Sequence, residues 1–85
     1  MGEPGWQTTS SKAIRLYRFL PDQGILEIVY RGSSRSSSKA YSFPCDESLY
    51  QAFLGAWSKG RFVEKTLKPY ARRLGWSVRS RRFSG

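Results

Sequence analysis

The sequence predicts an α+β domain: a three-stranded antiparallel meander followed by two short helices, in the order βββαα. Three observations carry this expectation. Two runs with a period of two, residues 14–20 and 25–31, flank the turn signal Pro21-Asp22-Gln23-Gly24. A third short run, Lys39 to Phe43, repeats the alternation. After Pro44 the period lengthens to that of a helix, with Leu49, Tyr50, Phe53, Leu54 and Trp57 on one side.

Taken in order, residues 1–12 are rich in Gly, Ser and Thr and are expected to be a disordered N-terminal arm, with Trp6 exposed. The single domain is expected over residues 13–74. In the first strand Ile14, Leu16 and Leu20 are expected to face the core, with Arg18 interrupting that face. Pro21 presets φ and Gly24 accepts a positive φ, so the chain returns antiparallel. In the second strand Leu26, Ile28 and Tyr30 share one face, and Ile25, Glu27, Val29 and Arg31 the other. Gly32 to Ser38 contains no apolar residue and reads as a flexible connection, with Arg35 and the hydroxyls as minor phosphate donors. In the third strand Tyr41 and Phe43 fall on one side and are expected in the core of so small a domain.

Cys45-Asp46-Glu47-Ser48 opens the first helix, its acids opposing the dipole, and Trp57 is expected to seal the core. Gly60 marks the junction to the second helix. There Arg61, Lys65 and Lys68 lie within about 60° of one another, while Val63 and Leu67 point the opposite way. Pro69 is expected to end or kink this helix, and residues 75–85 to form a basic C-terminal tail.

Charge is the strongest global signal. The 85-residue chain carries a net +9, divided very unevenly. Residues 1–57 hold six Lys or Arg against five Asp or Glu, whereas residues 58–85 hold nine against Glu64 alone. A field of that kind attracts polyanions, with nucleic acid first and an acidic protein surface or anionic lipid next.

Catalysis has no foothold in the sequence. There is no His, Cys45 is the only cysteine, and the six carboxylates make no metal motif. The chain is expected to be non-catalytic, with no cofactor and no metal. One cysteine allows no intrachain disulfide, and neither a signal peptide nor a membrane span is read, so a cytoplasmic location with no membrane partner is expected. A monomer is favoured, with a dimer through an exposed strand edge as the alternative.

The Tyr41-Ser42-Phe43 strand, the helix through Tyr50, the Ser58-Lys59-Gly60-Arg61-Phe62 turn and the later Leu67 and Tyr70 together resemble the KTSC domain. That module occurs alone in bacterial proteins and at the C-terminus of some lysyl-tRNA synthetases. The resemblance covers about residues 13–72 and implies three strands followed by two helices. It also lends support to RNA as a partner, since RNA binding has been proposed for the family. Phe43 stands where the family has a second Tyr, which removes a hydroxyl and keeps a ring.

The sequence therefore points to a small nucleic-acid-binding module, RNA or single strands favoured, working through a basic second helix and an Arg-rich tail. Lys59, Arg61, Lys65, Lys68, Arg72 and Arg73 would hold phosphates, and Arg79, Arg81 and Arg82 would add contacts from the tail. The alternative is a protein-interaction module docking on an acidic partner surface, with an exposed Trp as anchor.

Overall fold

A computed structural model describes residues 5–32 and 39–83. Arg35 and the serines of the loop after the second long strand therefore lie outside the described residues. The sheet has five strands, in the order β1 (Gln7–Thr8), β2 (Ile14–Leu20), β3 (Ile25–Tyr30), β4 (Lys39–Pro44) and β5 (Arg79–Arg82), each antiparallel to its neighbours. Between β4 and β5 come α1 (Glu47–Leu54) and a longer helix, α2, over residues 59–73.

This corrects the expected three-strand meander. The central three strands and the two helices are present, and the sheet gains a strand at each edge from segments read as arm and tail. Both additions have a physical reason. Gln7 and Thr8 pair with Tyr17 and Leu16, placing the preceding Trp6 over the sheet face that the helices leave open. Arg79 to Arg82 pair with Ser42 to Lys39, and this brings Phe83 down onto Val29 and Ala40. A run of four polar residues is a poor strand by propensity, and its pairing is set by what its face meets.

What that face meets is Glu27. Its side chain is buried, with the residue only 4% exposed, and its carboxylate is held from both sides. Arg18, directly opposite on β2, donates its Nε–H to Oε1 at 3.0 Å and forms an ion pair through its other nitrogen. Arg81, from β5, donates its Nε–H to Oε2 at 3.0 Å. The Arg18 guanidinium also lies 4.8 Å from the centre of the Trp6 ring, and Trp6 packs edge-on against Phe83 with centroids 5.0 Å apart. The outer face thus has its own small core, in which the ion triad tethers β5.

Arg18 does not interrupt the inner face as expected, because β2 carries a bulge. Ile14 pairs with Tyr30 and Leu16 with Val29, so Arg15 is an extra residue and the phase of the strand reverses. Tyr17 and Phe19 now join Ile14 under the helices, and Leu16 and Arg18 face outward. The inner core collects Ile14, Leu26, Ile28 and Phe43 from the sheet with Phe53, Val63 and Leu67 from the helices. Rings interlock across it: Tyr17 meets Phe53 edge-on at 5.1 Å, and Phe19 stacks on Tyr50 at 4.3 Å.

Both helices start on a side-chain cap. Asp46 accepts from the Leu49 amide at 2.7 Å and Ser58 from the Arg61 amide at 3.3 Å. Trp57 lies beyond the end of α1, where helical spacing no longer applies, and it is fully exposed at 102% instead of sealing the core. Pro69 neither ends nor breaks α2. Residues Val63–Leu67 form a π turn in which the Lys68 amide donates to Val63 O, and the α-helix resumes at Lys68. The wider turn makes room for a proline ring that would otherwise collide with the preceding turn. The helix then closes with Gly75 at φ 70°, its amide donating to Arg72 O and the Trp76 amide to Ala71 O, a Schellman ending that turns the chain toward β5.

Two predictions follow from the packing. A Cβ on Gly60 would lie 2.6 Å from Cβ of Ala13, so α2 approaches β2 only because that methyl is missing. Gly60→Ala should lower stability by about 1–2 kcal/mol, because overpacking outweighs the helix propensity that Ala gains. Adding Ala13→Gly should restore most of the loss in urea unfolding, and a double variant as weak as the single one would refute the contact. Glu27→Gln keeps the volume and leaves two guanidiniums without their carboxylate. It should cost about 3 kcal/mol, below the upper range for buried pairs because Arg81 is partly solvated. Amide exchange should then quicken first in Arg79 to Arg82; a uniform loss of protection would show that the triad does not act through β5.

Candidate nucleic-acid interface

The nine basic residues singled out by the sequence fall into three settings. Lys59, Arg61 and Lys65 lie in the first half of α2. Arg61 and Lys65 are exposed, while Lys59 is half-buried, with Nζ donating to Leu54 O at 3.3 Å and lying 5.7 Å from the centre of the Phe53 ring. Lys68, Arg72 and Arg73 lie beyond the π turn, which itself holds Lys65. Lys68 is ion-paired with Glu64 one turn earlier, an exposed contact of small net stabilisation, and Arg72 and Arg73 are exposed. On β5, Arg79 and Arg82 are exposed, and Arg81 is engaged with Glu27.

The single stripe expected along the helix is divided in two. The extra residue of the π turn offsets the second half of α2 from the first, so Lys59, Arg61 and Lys65 line one groove and Lys68 and Arg72 another, while Arg73 lines neither. The first groove, of about 820 Å³, runs between α2 and the segment Thr9 to Ala13. Lys12, Lys59, Arg61 and Lys65 line it, with Glu64 as its one acid and the exposed Trp57 at its margin. The hydroxyl-bearing Thr9, Ser10 and Ser11 form the other wall.

That wall is fixed in place. Arg31 donates from Nε to Ser11 O at 2.6 Å and from its terminal nitrogen to Thr9 O at 2.7 Å. The Ser11 hydroxyl oxygen accepts from the amides of Ala13 and Ile14 at 3.2 Å each. Sequence reasoning missed both Arg31 and the wall, since a Ser- and Thr-rich run gives no periodic signal. Lys12, isolated in sequence from the basic third, joins the groove only through the fold.

The second groove, of about 570 Å³, lies at the other end of α2. Tyr30 and Tyr41 line it as a T-shaped pair with centroids 5.5 Å apart. Lys68 and Arg72 line it from the helix and Trp76 from the segment beyond. Trp76 is anchored by Nε1–H donating to Ser42 O at 3.2 Å. Tyr41, expected in the core with Phe43, is half-buried on this groove while Phe43 is buried.

Among the described residues no group of three His, Cys, Asp or Glu comes together. No helix among them is long and apolar enough to cross a membrane. Comparison with known proteins finds no matching family model, no similar curated protein and no similar solved structure.

Three groups near the core have raised pKa values: Tyr50, raised chiefly by burial, and Tyr30 and Cys45, raised furthest. Burial, reinforced by the Glu64 carboxylate and by Tyr41, pushes the Tyr30 hydroxyl up to about 12. Burial, with Asp46 and Glu47, pushes the Cys45 thiol up to about 12. Both groups stay protonated in the folded chain at pH values where the unfolded chain ionises, from 9.0 for the thiol and 10.0 for the hydroxyl. The folded state then holds more protons, so their contribution is complete below pH 9 and is lost between pH 9 and 12. The thermal midpoint should fall over that window, and Tyr30→Phe should flatten the part above pH 10. An unchanged slope in Tyr30→Phe would show that the hydroxyl does not titrate late.

Proposed function

We propose that this chain is a small non-catalytic module that binds nucleic acid, with RNA or other single strands favoured, through the basic grooves of α2 and the exposed arginines of β5. The observation that carries this reading is the convergence of Lys12, Lys59, Arg61 and Lys65 on one groove with a hydroxyl-rich wall and an exposed Trp57 beside it. Cations and hydroxyls position a phosphate backbone, and an exposed indole offers a face on which a base stacks. Duplex reading in the major groove calls for a projecting helix or ribbon, and the first half of α2 is instead walled by the arm. The resemblance to the KTSC domain points the same way. A cytoplasmic monomer belongs to the same proposal.

The roles of the nine residues differ within this reading. Arg61, Lys65, Arg72, Arg73, Arg79 and Arg82 form no ion pair among the described residues and are the direct phosphate contacts. Lys59 and Lys68 exchange weak internal contacts for phosphate. Arg81 stays on Glu27 and contributes long-range potential.

Docking on an acidic protein is the second reading, and the full exposure of Trp57 favours it, because aromatic anchors dominate many interfaces. Fluorescence anisotropy with labelled single-stranded RNA, single-stranded DNA and duplex DNA across a salt series decides between them. Four phosphate contacts on a single strand give a slope of log K against log salt near about −3. Arg61→Glu with Lys65→Glu should weaken binding by at least about tenfold, since each reversal adds repulsion to a lost contact. Unchanged affinity would sink the assignment, and one stoichiometric protein captured from nuclease-treated lysate would favour the second reading.

A further inference from the structure

The second groove has features that charge attraction to phosphate does not require. Its walls are aromatic: Tyr30 and Tyr41 on the sheet and Trp76 beyond the helix. Its cations, Lys68 and Arg72, sit one helical turn apart, and Glu64, which does not line it, is ion-paired with Lys68. Its volume lies in the range of small-ligand pockets and is too small for a duplex. The Trp76 indole is held by a backbone carbonyl, so this wall is set before any ligand arrives. The buried hydroxyl of Tyr30 has no hydrogen-bond partner among the described residues. Such a group carries a desolvation cost in the fold.

We infer that this groove receives one unstacked nucleobase of a single strand, whose neighbouring phosphates are held by Lys68 and Arg72. The inference rests on the nucleic-acid reading above and adds to it a place for the base itself. Positive charge beside aromatic faces is complementary to a base flanked by phosphates, and a neutral aromatic ligand would leave the exposed Arg72 without an anion. A paired base cannot enter without leaving its stack, so the groove selects single strands over duplex. It also adds to the work of α2: the first groove follows the backbone beside Trp57, and the second holds a base between its walls.

The test compares decamers of uridine, of adenosine and of their deoxy counterparts with an abasic decamer of equal charge, by anisotropy at one salt concentration. The base-bearing strands should bind the wild-type protein roughly tenfold more tightly than the abasic strand, the scale of one stacked base. Tyr41→Leu and Trp76→Ala, each shown to be folded by circular dichroism, should cut that ratio several-fold. In the wild-type protein the Trp76 indole Nε1–H resonance should shift with base-bearing strands and stay in place with the abasic one, which needs no variant to fold. The ribose and deoxyribose arms show which strand supplies the base. Equal affinity for base-bearing and abasic strands overturns this inference and leaves the phosphate-binding reading standing. Binding to none of them overturns both. A ratio lost in Trp57→Ala and kept in Tyr41→Leu and Trp76→Ala places the base in the first groove and overturns the assignment made here.

Discussion

The outer face of the sheet depends on one buried carboxylate. Glu27 sits on the central strand, where an unpaired charge would be expelled or neutralised at high cost. Arg18 reaches it from one neighbouring strand and Arg81 from two strands away on the other side. Two guanidiniums against one carboxylate leave a positive residue, which the Trp6 ring under Arg18 helps to accommodate. Because Arg81 belongs to β5, the same contact ties the C-terminal residues to the centre of the sheet. Once they do, Phe83 covers Val29 and Ala40, and Trp6 closes over Phe83. Both ends of the described chain are therefore fastened to the face the helices do not reach.

Helix α2 is governed by two local constraints. At its start the missing side chain of Gly60 allows contact with Ala13, and so fixes the distance between the helix and the segment that walls the first groove. At its middle the π turn absorbs Pro69 without ending the helix. A helix stopped at Lys68 would place neither Arg72 nor the Schellman ending at Gly75, and Trp76 would not reach Ser42. The helix that reads as stopping at a proline instead continues past it, and its two halves line two grooves.

Much of this was legible in the sequence. The hairpin of β2 and β3, the third strand, the start of α1 after Pro44 and the concentration of charge after residue 57 all follow from period, turn residues and composition. What was not legible shares a cause: it rests on contacts between residues far apart in the chain. The bulge at Arg15 reverses the faces of β2, and alternation alone cannot reveal an extra residue. β5 reads as a disordered basic tail until Glu27, more than fifty residues earlier, is placed beside Arg81. Trp57 and Trp6 take positions opposite to those expected, because the one follows a helix end and the other precedes a two-residue strand whose pairing has no sequence signature. Of the site, the cations of α2 were visible, whereas Lys12, Arg31 and Trp76 acquire their places only from the fold.

The charge distribution links folding to the proposed function. A net +9 on a chain of 85 residues disfavours compaction through self-repulsion, and the C-terminal third concentrates that repulsion. Part of it is offset internally, where Glu64 meets Lys68 and Glu27 meets Arg81. The rest stands exposed on α2 and β5, the elements that line the grooves or border them. A polyanion bound there relieves the repulsion at the same positions where it makes its contacts. Its binding energy adds to the stability of the folded chain, since the unfolded chain disperses the same charges and gathers no groove. The composition that looks unfavourable for an isolated small domain is then the one suited to a domain that works with an anionic partner in place.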